Sequence, residues 1–288
     1  MKTGKTIILI VGLLALYSVS FRQLDLEREE FLKHSYVDYT LPSQFVGPMS
    51  LEFKGLMSDF LLFKFMTFIG GHVQDINQFN EQHWSFIEDS LERITDLDPY
   101  FWDAYLFAEM FLTWQGQRYQ AANNLLLKAR QYRTDDYRAS YYLGFNHYYF
   151  LKDNVNGAKY LMEASKLPGS PYYLASLAAR LSVYSYQHRV GILFLEELLK
   201  DTKEQRAIEE FRLRIETMKI MDRLEQTIAQ YEKEYKRMPE SLDELVKSGM
   251  LDKIPNDPYG GQFLMLENGR VYTTSKMLKV KKKEKEVE

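Results

Sequence analysis

The sequence predicts a mostly α-helical chain: a helical-hairpin solenoid, preceded by an N-terminal membrane anchor and followed by a small α + β-hairpin module. Three observations predict it. Small and large apolar residues recur along the middle of the chain in blocks of about 34 residues, the length of one antiparallel helix pair. From about Lys203 to Tyr235, Phe211, Ile215, Met218, Met221, Leu224, Ile228, Tyr231 and Tyr235 keep the spacings of three and four that mark an amphipathic helix. Further on, Phe263 to Leu266 and Arg270 to Thr273 read as two strands joined at Glu267-Asn268-Gly269, and Asn-Gly is a strong hairpin signal.

Residues 1–21 form the address. Lys2 and Lys5 precede an apolar run from Thr6 to Phe21, and Asp25, Glu27, Glu29 and Glu30 follow it. Cations before an apolar segment hold the start in the cytoplasm and send the rest across the membrane. Two readings stay open. A cleaved signal peptide would end near Ser18-Val19-Ser20, a poor small-x-small site. An uncleaved anchor fits an apolar run slightly longer than a signal core, with Tyr17 and Phe21 at the interface. The expectation is a single-pass bacterial inner-membrane protein whose bulk faces the periplasm.

Residues 22–78 read as a stalk and an apolar first helix. Phe21 to Ser35 is charged with a helical pattern, and Tyr39 to Met49, with Pro42, Gly47 and Pro48, reads as a loop. Leu51 to Ile69 is apolar on most sides, which predicts burial all round as the first core-facing helix. Lys54, Asp59 and Lys64 argue against a second membrane span. A docking surface for a membrane partner or for the bilayer interface is the alternative. Gly70-Gly71 predicts the helix stop.

Residues 79–202 carry the repeats, with ends at Pro99, Asp136, Pro168 and Thr202. Phe79 to Leu97 reads as a helix with Trp84, Ile87, Leu91 and Ile94 on one face. The first full unit has Tyr105, Ala108, Leu112, Gly116, Ala121, Leu126 and Ala129, with an insertion. The second has Leu143-Gly144, Ala158, Met162, Ala164 and Leu167-Pro168, and the third has Leu177-Ala178 and Gly191 in matching places. Small residues permit close helix crossing and large ones fill the space between pairs. This order resembles the tetratricopeptide-repeat (TPR) family. The resemblance implies a scaffold whose first helices line a groove for another protein. Carried over by the Leu143-Gly144 register, it directs Arg138, Tyr141, Phe145, Tyr148 and Tyr149 toward the groove, then Tyr172, with Asp103, Leu106, Met110 and Trp114 from the first unit. The alternative is that several of these tyrosines pack between repeats, as aromatic stripes at helical spacing usually do.

Residues 203–236 form the long capping helix, with Glu204, Glu209, Glu210, Arg212, Arg214 and Glu216 filling its charged face. In residues 237–275, Ser241 and Glu244 stand at capping-box spacing, Gly249 stops the short helix and Asp257-Pro258-Tyr259-Gly260 makes a tight turn. The order Met238-Pro239-Glu240-Ser241-Leu242, then Ile254-Pro255-Asn256-Asp257-Pro258-Tyr259-Gly260, then a hairpin, is similar to the soluble part of type II secretion major pseudopilins. Thr273-Thr274-Ser275-Lys276 stands where that family has an acidic calcium loop, and the N-terminus lacks the prepilin cleavage pattern. Neither a calcium site nor a pilin-like polymer is expected. Residues 276–288 read as a charged, disordered tail.

Composition bounds the chemistry. Formal net charge is −3, which gives no basic field for nucleic acid, and the absence of cysteine excludes disulfides, thiolate metal sites and a Cys nucleophile. The five histidines, His34, His72, His83, His147 and His188, show no metal-ligand spacing. No catalytic, cofactor or metal residue is expected. The function expected is a membrane-anchored periplasmic scaffold that binds protein partners, which can be membrane-embedded, and is not an enzyme. The alternatives are a subunit or assembly factor of a type IV pilus or type II secretion-like machine, and an envelope enzyme with an unrecognised site.

Overall fold

The computed structural model describes residues 12–14, 16–24, 43–74, 76–185 and 187–278. Most of the expected anchor at 1–21, most of the expected stalk and residues 279–288 of the expected tail lie outside the described residues. Residues 12–14 and 16–24 are helical (α1), and Leu13, Leu16, Tyr17, Val19, Phe21 and Leu24 are all exposed. Among the described residues no helix is long and apolar enough to cross a membrane. The described chain is mostly helical, with one two-stranded sheet, and divides into two compact units, residues 1–125 and 126–288.

The first unit holds α2 (Ser43–Ser50), α3 (Lys54–His72), a 3-10 turn (Ile76–Gln78), α4 (Glu81–Leu97) and α5 (Trp102–Ala108), which widens into a π-helical segment (Glu109–Gln115). Where the sequence reads a loop at 39–49, residues 43–50 are helical despite Pro48. Val46 is buried there, and Ser50 Oγ donates to its carbonyl at 2.5 Å. α4 starts on a reciprocal cap, with Asn80 Oδ1 accepting from His83 N at 3.1 Å and His83 Nδ1 accepting from Asn80 N at 3.3 Å. Trp84, Ile87, Leu91 and Ile94 are buried, as their spacing predicts.

α3 corrects two expectations. It buries one side, Leu62, Phe65, Phe68 and Ile69, while Phe53 at its cap and Leu56, Phe60, Phe63 and Met66 along its other side are exposed. It is not buried all round. It also runs through Gly70-Gly71 to His72. Glycine in a helix interior costs about 1 kcal/mol. Against that cost, the His72 ring bonds the Phe68 carbonyl at 2.8 Å and joins a ring cluster with Phe68, Phe79 and His83.

The second unit holds α7 (Tyr137–Tyr149), α8 (Asn154–Lys166), α9 (Tyr173–Tyr184), α10 (His188–Asp201), α11 (Gln205–Tyr235), α12 (Leu242–Lys247), β1 (Phe263–Met265) and β2 (Val271–Thr273). The intervening α6 (Tyr119–Tyr132) contains the boundary between units. Each helix from α7 to α11 packs on the next. Asp136 and Asp153 cap α7 and α8 with their carboxylates. The small positions act as the spacing implies. A Cβ on Gly144 would stand 2.7 Å from Leu161 Cγ, and one on Gly191 would stand 2.6 Å from Met218 Cε. One core runs from Ala158 and Leu161 through Leu174, Leu195 and Phe211 to Ile228, Phe263 and Val271.

The C-terminal module is built on the buried face of α11. β1 and β2 pair antiparallel with Phe263 opposite Thr273 and Met265 opposite Val271, and Gly269 turns the hairpin at φ +77°. Asp257 accepts Gly260 N–H on its carbonyl at 2.8 Å, and Gly260 takes φ +87°. Ser241 makes no side-chain cap on α12. The Glu244 carboxylate is occupied elsewhere. It pairs with Arg237 and accepts from Glu240 N at 2.7 Å and from the Tyr231 hydroxyl at 2.8 Å. The Arg237 guanidinium, that N–H and that hydroxyl hold its carboxyl at about 2. The tail also begins later than expected, because Met277 is buried in the core.

Candidate functional site

The residues directed to the groove fall in both units, and none of them is fully buried. In the first unit, Asp103 is exposed and Leu106 half-buried, while Met110 and Trp114 stand exposed one turn apart on the π-helical segment. A π turn is wider than an α turn and takes up extra residues, and such turns are common at functional places.

In the second unit α7 carries a row of rings. Tyr141, Phe145 and Tyr149 follow one another at i, i+4 and i+8. The Tyr141 and Phe145 centroids are 6.4 Å apart, and Phe145 and Tyr149 stack at 5.3 Å with planes 13° apart. Phe150 meets Tyr149 edge-on at 4.9 Å, and Lys152 Nζ sits 5.1 Å from the Tyr149 ring centre. Tyr149 is 46 % exposed. Tyr141 and Tyr148 are half-buried and pack against the core, so they share the structural role that an aromatic stripe implies. Arg138 is engaged at the helix start, where its Nε and a terminal nitrogen donate to Asp136 at 2.8 and 2.6 Å. Burial would raise the Asp136 carboxyl, but Arg138 and Arg133 outweigh it and hold it at about 2.

Tyr172 belongs to a different feature. It lines a cavity of about 440 Å³ with Arg206, Glu210, Arg214, Tyr259 and Met277. Arg214 reads from sequence as part of the solvated charged face, yet it is 3 % exposed. One of its terminal nitrogens donates to the Met277 carbonyl at 3.1 Å and lies 3.6 Å from Glu210. Its guanidinium carbon is 5.7 Å from the Tyr259 ring centre. Burial pushes the Arg214 guanidinium below its ordinary value and the Tyr259 phenol above its own. The available signal was spacing: Arg214 stands three after Phe211 and four before Met218, on the apolar stripe. Tyr259 carried only a turn signal.

Of the histidines, His188 gains a defined partner, with Nε2 2.9 Å from Glu225 Oε2. The His83 ring accepts the N–H of Asn80, the N-cap of α4, at 3.3 Å, and His147 Nδ1 lies 3.1 Å from Asp153 Oδ2.

Comparison with protein-family models, with curated proteins and with solved structures finds no match for this chain.

Proposed function

We propose that the protein is a membrane-anchored, periplasm-facing helical-repeat scaffold that binds other proteins and carries no catalysis of its own. The observation that carries this reading is the ring row on α7, in which Phe145 and Tyr149 stack while Tyr149 keeps nearly half its surface in solvent. Stacked rings on a rigid helix offer large contact area at small entropic cost, and such residues dominate binding energy at interfaces. The succession of packed helix pairs from α7 to α10, with Gly144 and Gly191 at their crossings, supports a solenoid of the tetratricopeptide kind. Anchoring rests on Lys2 and Lys5 before the apolar run and on the exposed apolar side chains of α1.

A second reading is a subunit or assembly factor of a pilus or type II secretion-like machine. The feature that favours it is the passage from the long α11 into α12, the Asp257 turn and a hairpin, the order in which pseudopilins are built.

Partner capture from solubilised membranes tests the proposal, comparing the full chain with a Phe145→Ala/Tyr149→Ala double variant. The proposal expects specific partners that the variant loses with its melting temperature nearly unchanged. Equal recovery of the same proteins by both would contradict it. Reporter fusions at Gln44 and after the last residue should both read periplasm, and cytoplasmic activity at both would end the anchored reading.

A further inference from the structure

Helix α3 keeps an apolar face in solvent. Its buried side is tied into the first unit. Ser58 Oγ donates to the Ile94 carbonyl of α4 at 3.1 Å, Phe65 meets Phe107 and Phe111 edge-on at 5.7 and 5.8 Å, and Phe68 packs on Phe86 at 4.6 Å. On the other side Phe53, Leu56, Phe60 and Phe63 each keep more than half of their surface in solvent, and Met66 keeps 49 %. Leu56, Phe60 and Phe63 are spaced four and three apart, so they share one face of a helix about 28 Å long. Single exposed hydrophobes need no explanation, but a contiguous patch of them marks an interaction surface.

The chemistry of this face suits lipid. Specific protein interfaces carry roughly one hydrogen bond per 100–200 Å². Within the face the polar side chain is Thr67, and its hydroxyl is closed on its own helix, donating to the Phe63 carbonyl at 2.8 Å. The turn into the helix is closed too, with Phe53 N–H on the Ser50 carbonyl at 2.7 Å and Met57 N–H on the Phe53 carbonyl at 3.0 Å. Polar groups satisfied internally are what hydrocarbon requires. Glu52 and Asp59 offset Lys54 and Lys64, all four exposed, so the stretch is neutral and apolar contact rather than lipid charge must hold it. These charges, and a side packed on α4, fit a helix lying on a bilayer and not one crossing it.

We propose that α3 lies along a zwitterionic phospholipid leaflet, with Leu56, Phe60 and Phe63 inserted between the headgroups and the acyl chains. Interfacial helices bury their apolar face about 5–10 Å in this way. Lys64, at the edge of the face, keeps its ammonium in water while its stem lies on the apolar side. The inference rests on the anchored reading for its source of affinity. A chain held by residues 6–21 brings α3 back to the same bilayer through residues 25–53, so the second contact is intramolecular and a modest face suffices. That second contact fixes how the first unit stands over the leaflet.

The chain has no cysteine, so a single introduced one can carry a fluorophore without background. The full chain, labelled at Phe63→Cys, at Tyr17→Cys or at Glu92→Cys on the exposed side of α4, is reconstituted into phosphatidylcholine vesicles. Quenching is read with iodide in the water and with doxyl-labelled phosphatidylcholine in the leaflet. The lipid quencher should dim position 63 at least about twofold while iodide leaves it bright, as for a side chain inserted in the interface. Position 92 should show the reverse. Adding Leu56→Glu and Phe60→Glu should turn position 63 over to iodide and leave the melting temperature nearly unchanged, since both residues are exposed. Position 17 reads the anchor separately. Lipid quenching at 17 with iodide quenching at 63 overturns this inference and leaves the anchor standing. Lipid quenching at 63 with iodide quenching at 17 supports the inference and removes the anchor, and iodide quenching at both removes both. Shielding of position 63 from both quenchers means that protein, a second copy or a partner, covers the face, and overturns the proposal. Lipid quenching at 63 that survives the double substitution overturns it as well.

Discussion

His188 Nε2 lies 2.9 Å from Oε2 of Glu225, and the other oxygen of that carboxylate accepts the Val271 N–H at 3.0 Å. One side chain of α11 thereby ties the first residue of α10 to the first residue of β2. Arg270, next in chain to Val271, donates to the Val183 carbonyl at 2.6 Å and so reaches the end of α9. Helices α9, α10 and α11 and the β-hairpin are joined through this knot.

Glu225 therefore sets an acid-sensitive share of stability. Burial alone would raise its carboxyl, but His188, the Val271 N–H and Arg270 outweigh burial and hold it below the ordinary glutamate value. A depressed carboxyl contributes stability that is full above its unfolded value near 4.3 and is lost as pH falls through its folded value. Glu225→Gln should cost about 1–3 kcal/mol at pH 7. It should also lessen the loss of stability between pH 7 and pH 3.5, measured by urea unfolding. The slope should shrink without vanishing, because Asp136, Asp153, Glu163 and Glu244 are depressed as well. An unchanged slope would contradict this assignment.

Gly144 sets the crossing of α7 over α8. An added Cβ would meet Leu161 Cγ at 2.7 Å and the Leu161 backbone nitrogen at 3.0 Å. The backbone contact has no rotamer to relieve it. Gly144→Ala should destabilise by about 1–3 kcal/mol, the cost of overpacking, even though alanine favours the helix. Chemical denaturation of the two proteins checks this. A stabilised variant would mean that the helices separate freely.

Asp257 holds the turn into the hairpin. Its carboxylate accepts from Tyr259 N at 2.9 Å, from Gly261 N at 3.2 Å and from the Thr273 hydroxyl. Asp257→Ala leaves these donors unpaired in a buried place and should cost about 2–4 kcal/mol. Hydrogen exchange should show faster exchange in β1 and β2 while α7 and α8 keep their protection. Uniform loss across the second unit would contradict a local role.

The features readable from sequence are those with local signals. α11 was readable because Phe211, Met218, Leu224 and Tyr231 report one face of one helix, and the hairpin because Asn268-Gly269 encodes its turn within a few residues. The helix at 43–50 and the passage of α3 through Gly70-Gly71 were not readable. There, burial of Val46 and the ring cluster around Phe68 and His72 override local breakers. Glu244 does not reach back to Ser241 as its spacing suggests, because Arg237, Tyr231 and the Glu240 N–H occupy its carboxylate. On α7 the ring row was visible as i, i+4 spacing, but spacing alone could not separate Tyr141, which leans on the core, from Tyr149, which does not. The cavity was invisible, because Arg214 and Tyr259 meet only once the module folds back on α11.

Whether the ring row on α7 receives a protein can be read by photo-crosslinking in intact cells, with a benzophenone amino acid at Tyr149 in one sample and at Leu193 in another. Leu193 is an exposed apolar residue on α10 and controls for general stickiness. A receiving row gives discrete protein adducts from position 149 that are absent at 193. Those adducts should disappear when Phe145→Ala is added, with stability moved by no more than about 1 kcal/mol, as for substitutions away from the core. No adduct at 149 beyond that seen at 193, or adducts indifferent to Phe145→Ala, would contradict a protein-binding role for the row.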